Sequence, residues 1–112
     1  METSQSERRR WERYPVNLRA KITINRGGET SSFFGEATDL SHGGLKLFMP
    51  RDVAAGIIVL VELAFPYNAR SVALRGMIRN RAGFSYGIEF IRINKHEQEI
   101  IDLTCKALQL LK

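Results

Sequence analysis

Two short groups of polar residues in this 112-residue chain have types and spacing suited to holding a purine nucleotide. The first is Arg9-Arg10-Trp11-Glu12-Arg13, in which Arg9 and Arg13 place two guanidinium forks four residues apart. The second is Asp39-Leu40-Ser41-His42-Gly43-Gly44. A guanidinium donates paired hydrogen bonds to guanine O6 and N7 or to a phosphate, and a carboxylate accepts from the guanine Watson–Crick edge. Ser41 adds a hydroxyl, while Gly43 and Gly44 permit positive φ and close backbone approach. Taken alone, the Asp-Ser-Gly-Gly turn fits equally well an Asx-turn that bonds its own backbone.

Catalytic chemistry is not offered. His42 and His96 lack the spacing of a metal site, and no pair of acids is set for hydrolysis. Asp39, Ser41 and His42 are crowded into one turn, too close for a catalytic triad. The sequence therefore predicts no catalytic residue, no metal and no cofactor. The single cysteine, Cys105, cannot close an internal disulfide and reads as a small core or interface residue.

The formal charge of +5 predicts an anionic partner, and arginines outnumber lysines 12 to 5, which favours planar, two-pronged recognition. Five arginines (70, 75, 79, 81, 92) face one acid, Glu89, between Arg70 and Arg92. No run approaches the ~20 apolar residues needed to cross a bilayer, and Met1 to Glu7 is polar rather than a signal sequence. The expectation is a cytoplasmic protein: a flexible polar tail over 1–7 and a single domain over 8–112.

The elements that must position these groups are mostly strands. Val16 to Asn25 alternates apolar and polar residues without a break, and Asn25-Arg26-Gly27-Gly28 turns the chain. A second strand is predicted from Phe33 to Thr38 and a third from Leu45 to Met49, joined by Ser41-His42-Gly43-Gly44. Ile57 to Phe65 is a nearly continuous apolar run, expected to be covered on both faces and ended by Pro66-Tyr67-Asn68. In Ser71 to Arg81, Val72, Leu74 and Ile78 share one face, leaving Arg75, Met77, Arg79 and Arg81 on the other as a basic stripe. A turn at Asn80-Arg81-Ala82-Gly83 leads into a sixth strand through Phe84, Tyr86, Ile88 and Phe90. Asn94 and Glu97 form a capping box for a closing helix, with Ile100, Leu103, Ala107 and Leu110 at helical spacing and Ile101, Cys105, Leu108 and Leu111 widening the stripe. Such an apolar helix needs cover from the barrel, and any uncovered remainder would join two subunits.

In this order, the Arg-x-x-x-Arg and Asp-x-Ser-x-x-Gly motifs within an all-β pattern resemble the PilZ domain, a bacterial receptor module for cyclic dimeric GMP. The resemblance covers residues 8–112 and includes Tyr86-Gly87-Ile88-Glu89-Phe90, similar to the family's closing strand. It implies a mainly β fold, a six-stranded antiparallel β-barrel closed by a C-terminal α-helix. It also implies a non-catalytic receptor whose ligand is cyclic dimeric GMP. In that reading Arg9 and Arg13 grip guanine or phosphate, Asp39 accepts from guanine N1–H and N2–H₂, Ser41 donates to the ligand, and Gly43 and Gly44 leave it room. Arg79 lies where relatives cover a guanine with an aromatic or basic side chain, with Arg75 on its side of the strand. An arginine at Arg8 accompanies binding of an intercalated ligand dimer in the family, which implies two molecules per site. Ligand binding would order the segment 8–13 and alter the surface shown to an unknown downstream protein, an adaptor acting in trans. The competing readings are a small barrel that holds single-stranded nucleic acid through Trp11, Phe33, Phe34, Tyr86 and nearby arginines, and a protein-interaction scaffold of the same fold without a ligand.

Overall fold

The computed structural model describes residues 12–65 and 70–111. Met1 to Trp11 lie outside the described residues, and with them the tail, Arg8, Arg9 and Trp11; the predicted Pro66-Tyr67-Asn68 terminator does so too. Six strands, β1 (Tyr14–Arg26), β2 (Glu29–Leu40), β3 (Gly44–Phe48), β4 (Ile58–Leu63), β5 (Val72–Ala82) and β6 (Ser85–Phe90), precede the helix α1 (Lys95–Leu110). All neighbours are antiparallel and the sheet closes on itself in the order β1-β2-β3-β6-β5-β4. The resemblance thus predicts the right architecture.

The barrel closes because period-2 alternation sends one side of every strand inward. Ala20, Ile22 and Ile24 of β1 meet Leu45 and Leu47 of β3, Val59, Val61 and Leu63 of β4, Leu74 and Ile78 of β5 and Tyr86 and Ile88 of β6 in one buried cluster. Each large aliphatic side chain removed from water there contributes roughly 1.5–3 kcal/mol before chain entropy is subtracted. The loop after β3 plugs this interior with Met49 and Val53. The Tyr86 hydroxyl ties that loop down: it donates to Arg51 O at 2.5 Å and accepts from Val53 N–H at 3.0 Å.

Several local expectations are corrected. β2 runs from Glu29 to Leu40, not from Phe33 to Thr38, because Gly27 and Gly28 adopt φ of +57° and +87° and let pairing begin at once with Arg26 opposite Glu29. β4 is not covered on both faces: Val59, Val61 and Leu63 are buried, while Ile58 and Leu60 on the outer side are each 38% exposed. Phe84 sits in the β5–β6 turn, exposed, and β6 begins at Ser85.

The basic stripe on β5 is broken by a bulge between Ile78 and Asn80. Arg75 and Arg79 stay on the outer face, but the extra residue places Arg81 opposite Tyr86, where it pairs with Asp52 and donates through Nε to Gly83 O at 2.9 Å.

Helix α1 starts at the predicted capping box: Glu97 N–H donates to Asn94 Oδ1 at 2.7 Å, and Asn94 N–H donates to Glu97 Oε1 at 3.1 Å. Its buried side chains are Ile101, Thr104 and Cys105, and the Thr104 hydroxyl is satisfied by Ile100 O at 2.9 Å. Leu103, Leu110 and Leu111, counted in the predicted apolar stripe, are exposed instead. Among the described residues no helix is long and apolar enough to cross a membrane.

Candidate ligand-binding groove

The β2–β3 turn is built by Ser41. Its hydroxyl donates to Gly44 O at 3.2 Å and accepts from Gly43 N–H at 3.3 Å and Gly44 N–H at 3.1 Å, while Ser41 N–H donates to Gly44 O at 2.9 Å. This is the self-bonded turn that the sequence left open. A ligand that took the Ser41 proton would have to replace its bond to Gly44. Neither Gly43 nor Gly44 uses positive φ. Gly44 is needed for another reason: a Cβ there would lie 2.2 Å from Ile88 O, so the glycine lets β3 approach β6.

Asp39 stands two residues before Ser41 on β2, opposite Lys46 of β3, whose Nζ lies 3.9 Å from Asp39 Oδ2. With its side chain 27% exposed, Asp39 keeps a polar edge at the surface. Across the sheet, Arg79 Nε donates to Glu89 Oε1 at 2.5 Å. Holding the guanidinium by Nε directs the contact away from its two terminal nitrogens, the pair suited to a phosphate or a guanine edge. Arg13, immediately before β1, is exposed.

These side chains share one groove of about 440 Å³ on the outside of the barrel. Arg13, Asp39, Ser41, Gly43, Gly44 and Arg79, six of the eight residues singled out from the sequence, line it; Arg8 and Arg9 lie outside the described residues. Eight further lining residues were missed, among them Lys46, Asn80, Gly87 and Glu89. Lys46 was legible, since Leu45 and Leu47 point inward and leave it on the outer face beside Asp39. Asn80 was not, because the bulge aims it: a Cβ on Gly87 would lie 2.6 Å from Asn80 Oδ1, so the amide packs against the bare backbone of β6. The groove thus offers cations (Arg13, Lys46, Arg79) and acceptor carboxylates (Asp39, Glu89) together, a set of donors and acceptors of the kinds that pair with phosphate and with a purine edge.

Among the described residues, the platform proposed for single-stranded nucleic acid is dispersed. Tyr86 is wholly buried and Phe33 is half-buried with the Arg51 guanidinium 4.7 Å from its ring centroid; Phe34 is exposed on the outer face of β2. Among the described residues, no group of three or more His, Cys, Asp or Glu side chains is placed to hold a metal.

Residues 7–105 match the PilZ domain family. The chain belongs to that family. Solved structures agree on the fold: the Bacillus subtilis inhibitor of motility MotI/DgrA is 16% identical with a TM-score of 0.79, over 93% of this chain and 52% of that one. The PilZ domain of YcgR from Escherichia coli, solved with c-di-GMP, is 12% identical with a TM-score of 0.70 over 93% of each chain. The MrkH–c-di-GMP complex of K. pneumonia is 13% identical with a TM-score of 0.71, over 92% of this PilZ chain and 53% of MrkH. This chain spans about half the length of MotI/DgrA and MrkH. No curated protein matches its sequence.

Proposed function

We propose that this PilZ domain is a non-catalytic receptor for cyclic dimeric GMP. The observation that carries the reading is the convergence of Arg13, Asp39, Ser41, Gly43, Gly44 and Arg79, from three separate stretches of chain, on one groove. Two proteins of the same fold, YcgR and MrkH, form complexes with c-di-GMP, which supports it.

In this reading Arg8, Arg9 and Arg13 take phosphate or guanine, Asp39 accepts from a guanine edge, and Arg79 lays its guanidinium on a purine face. Ser41 acts through the turn, presenting the backbone of Gly43 and Gly44. The Arg8–Arg13 segment orders on the groove as the ligand binds, ligand contacts offsetting the entropy of fixing roughly six residues at ~1–2 kcal/mol each. The changed surface then signals to a partner protein in the cytoplasm. An arginine at Arg8, ahead of Arg9 and Arg13, supports two intercalated ligand molecules rather than one.

Isothermal titration with cyclic dimeric GMP, cyclic dimeric AMP and GTP tests the reading. Heat with cyclic dimeric GMP alone, at two molecules per chain, is expected. No heat with cyclic dimeric GMP, alongside capture of an acidic protein, would leave the family's scaffold role in its place.

A further inference from the structure

The β2–β3 turn that lines the groove is also tied to the far end of the chain. His42, at its tip, lies 2.7 Å through Nδ1 from Asp102 Oδ1 on α1, sixty residues later in sequence. A carboxylate can only accept, so Nδ1 carries the proton of that bond. Gln98, one helical turn before Asp102, donates its side-chain amide to His42 O at 3.0 Å and to Asp102 Oδ1 at 2.8 Å. The imidazole, the carboxylate, the amide and the His42 backbone therefore close a ring of hydrogen bonds that grips the turn by both its side chain and its main chain. Gly43 O is held separately, by Phe90 N–H at 2.9 Å.

This ring covers little apolar surface. The side chains of His42 and Asp102 are 31% and 48% exposed, so the ring adds little to the barrel core, yet it acts on the few residues that shape the groove wall.

We infer that Gln98 and Asp102 are positioning residues for the groove: without touching a ligand, they hold the Ser41–Gly44 backbone in the shape a nucleotide meets. The inference rests on the receptor reading for the identity of the ligand, and on the hydrogen-bond ring alone for the positioning.

Two measurements on Asp102→Ala, Asp102→Asn and the wild type test it, with thermal melting to establish that each variant folds. Calorimetry with cyclic dimeric GMP is expected to show Asp102→Ala weakened about three- to ten-fold, the effect of losing one or two partly exposed hydrogen bonds. Asp102→Asn keeps the Oδ1 acceptor and should return to within about two-fold of wild type. Amide hydrogen exchange needs no ligand: the Ser41 and Gly44 amides should exchange faster in Asp102→Ala and at the wild-type rate in Asp102→Asn. Unchanged turn amides in Asp102→Ala would overturn the positioning role, as would an Asp102→Asn variant no better than alanine. Absence of heat in the wild type itself would instead remove the receptor reading and leave the exchange experiment to decide the inference.

Discussion

Arg13 and Asp39 line the same groove but answer differently to substitution, because one is exposed ahead of β1 and the other is set within β2 beside Lys46. Arg13→Ala should abolish calorimetric binding of cyclic dimeric GMP and leave the melting temperature unchanged, since an exposed arginine outside the strands contributes little to folding. Asp39→Asn replaces an acceptor oxygen with a donor that opposes the guanine N1–H and N2–H₂ groups; a loss of about 1–3 kcal/mol, about five- to 150-fold in affinity, is expected on the same instrument. Tight binding by both variants would sink the receptor reading. Cys105, fully buried on α1, has its thiol pushed from 9.0 up to about 12, by burial first and by the neighbouring Asp102 charge second. The folded chain thus keeps a proton that the unfolded chain releases above pH 9.0, so this group favours folding fully below that pH and progressively less as pH rises towards about 12. Urea unfolding across that window should show a shallower fall in stability for Cys105→Ala than for the wild type, and the wild-type thiol should resist alkylation until the protein unfolds.

The β3–β6 contact is where folding and binding share a residue. Gly44→Ala drives a methyl to 2.2 Å from the Ile88 carbonyl oxygen, which is backbone and cannot swing away. Urea unfolding should report a loss of about 1–3 kcal/mol, so a fall in ligand affinity in that variant follows from a distorted wall rather than from a lost contact. Asn94→Ala, which removes half of the capping box, should cost about 1 kcal/mol by the same assay. Elements whose two faces differ were readable from the sequence: Val16 to Asn25 and Tyr86 to Phe90 alternate because one side meets the core. The first half of β2 was not, since Thr30, Ser31 and Ser32 lie on an exposed hairpin arm where no core imposes alternation, and the turn glycines alone announce it. Apolar residues misled at Ile58 and Leu60 and at Leu103, Leu110 and Leu111, which face solvent, because hydrophobic content does not by itself fix which face is covered. At the site, the two motifs carried Arg13, Asp39, Ser41, Gly43 and Gly44 into one groove. The bulge that aims Asn80 and the bond between His42 and Asp102 had no local signature, one being a register shift and the other a contact between distant stretches.

For the molecule as a whole, a net charge of +5 invites a polyanion reading, yet the groove sets Asp39 and Glu89 among its cations. Such a mixture suits a compact ligand with few phosphates, and affinity for cyclic dimeric GMP should fall only gently as salt rises. A long nucleic acid held by the same cations would show a steep log–log slope that guanine nucleotides fail to compete away, and titration over a salt series separates the two. Closure of the sheet has a further effect on how chains meet one another. A strand with neighbours on both sides offers no unpaired amides to a second molecule, and β3 and β6 are flanked along their whole lengths. β2 is different: its ladder with β3 begins only at Glu36, so the arm from Glu29 to Gly35 runs past its neighbour. That stretch carries a charge, a threonine and two serines before its aromatic pair, a poor template for the stacking of apolar ribbons. Along its free side this hydroxyl-rich arm therefore disfavours edge-to-edge pairing, whereas β3 and β6, paired on both sides, offer a second molecule no edge at all.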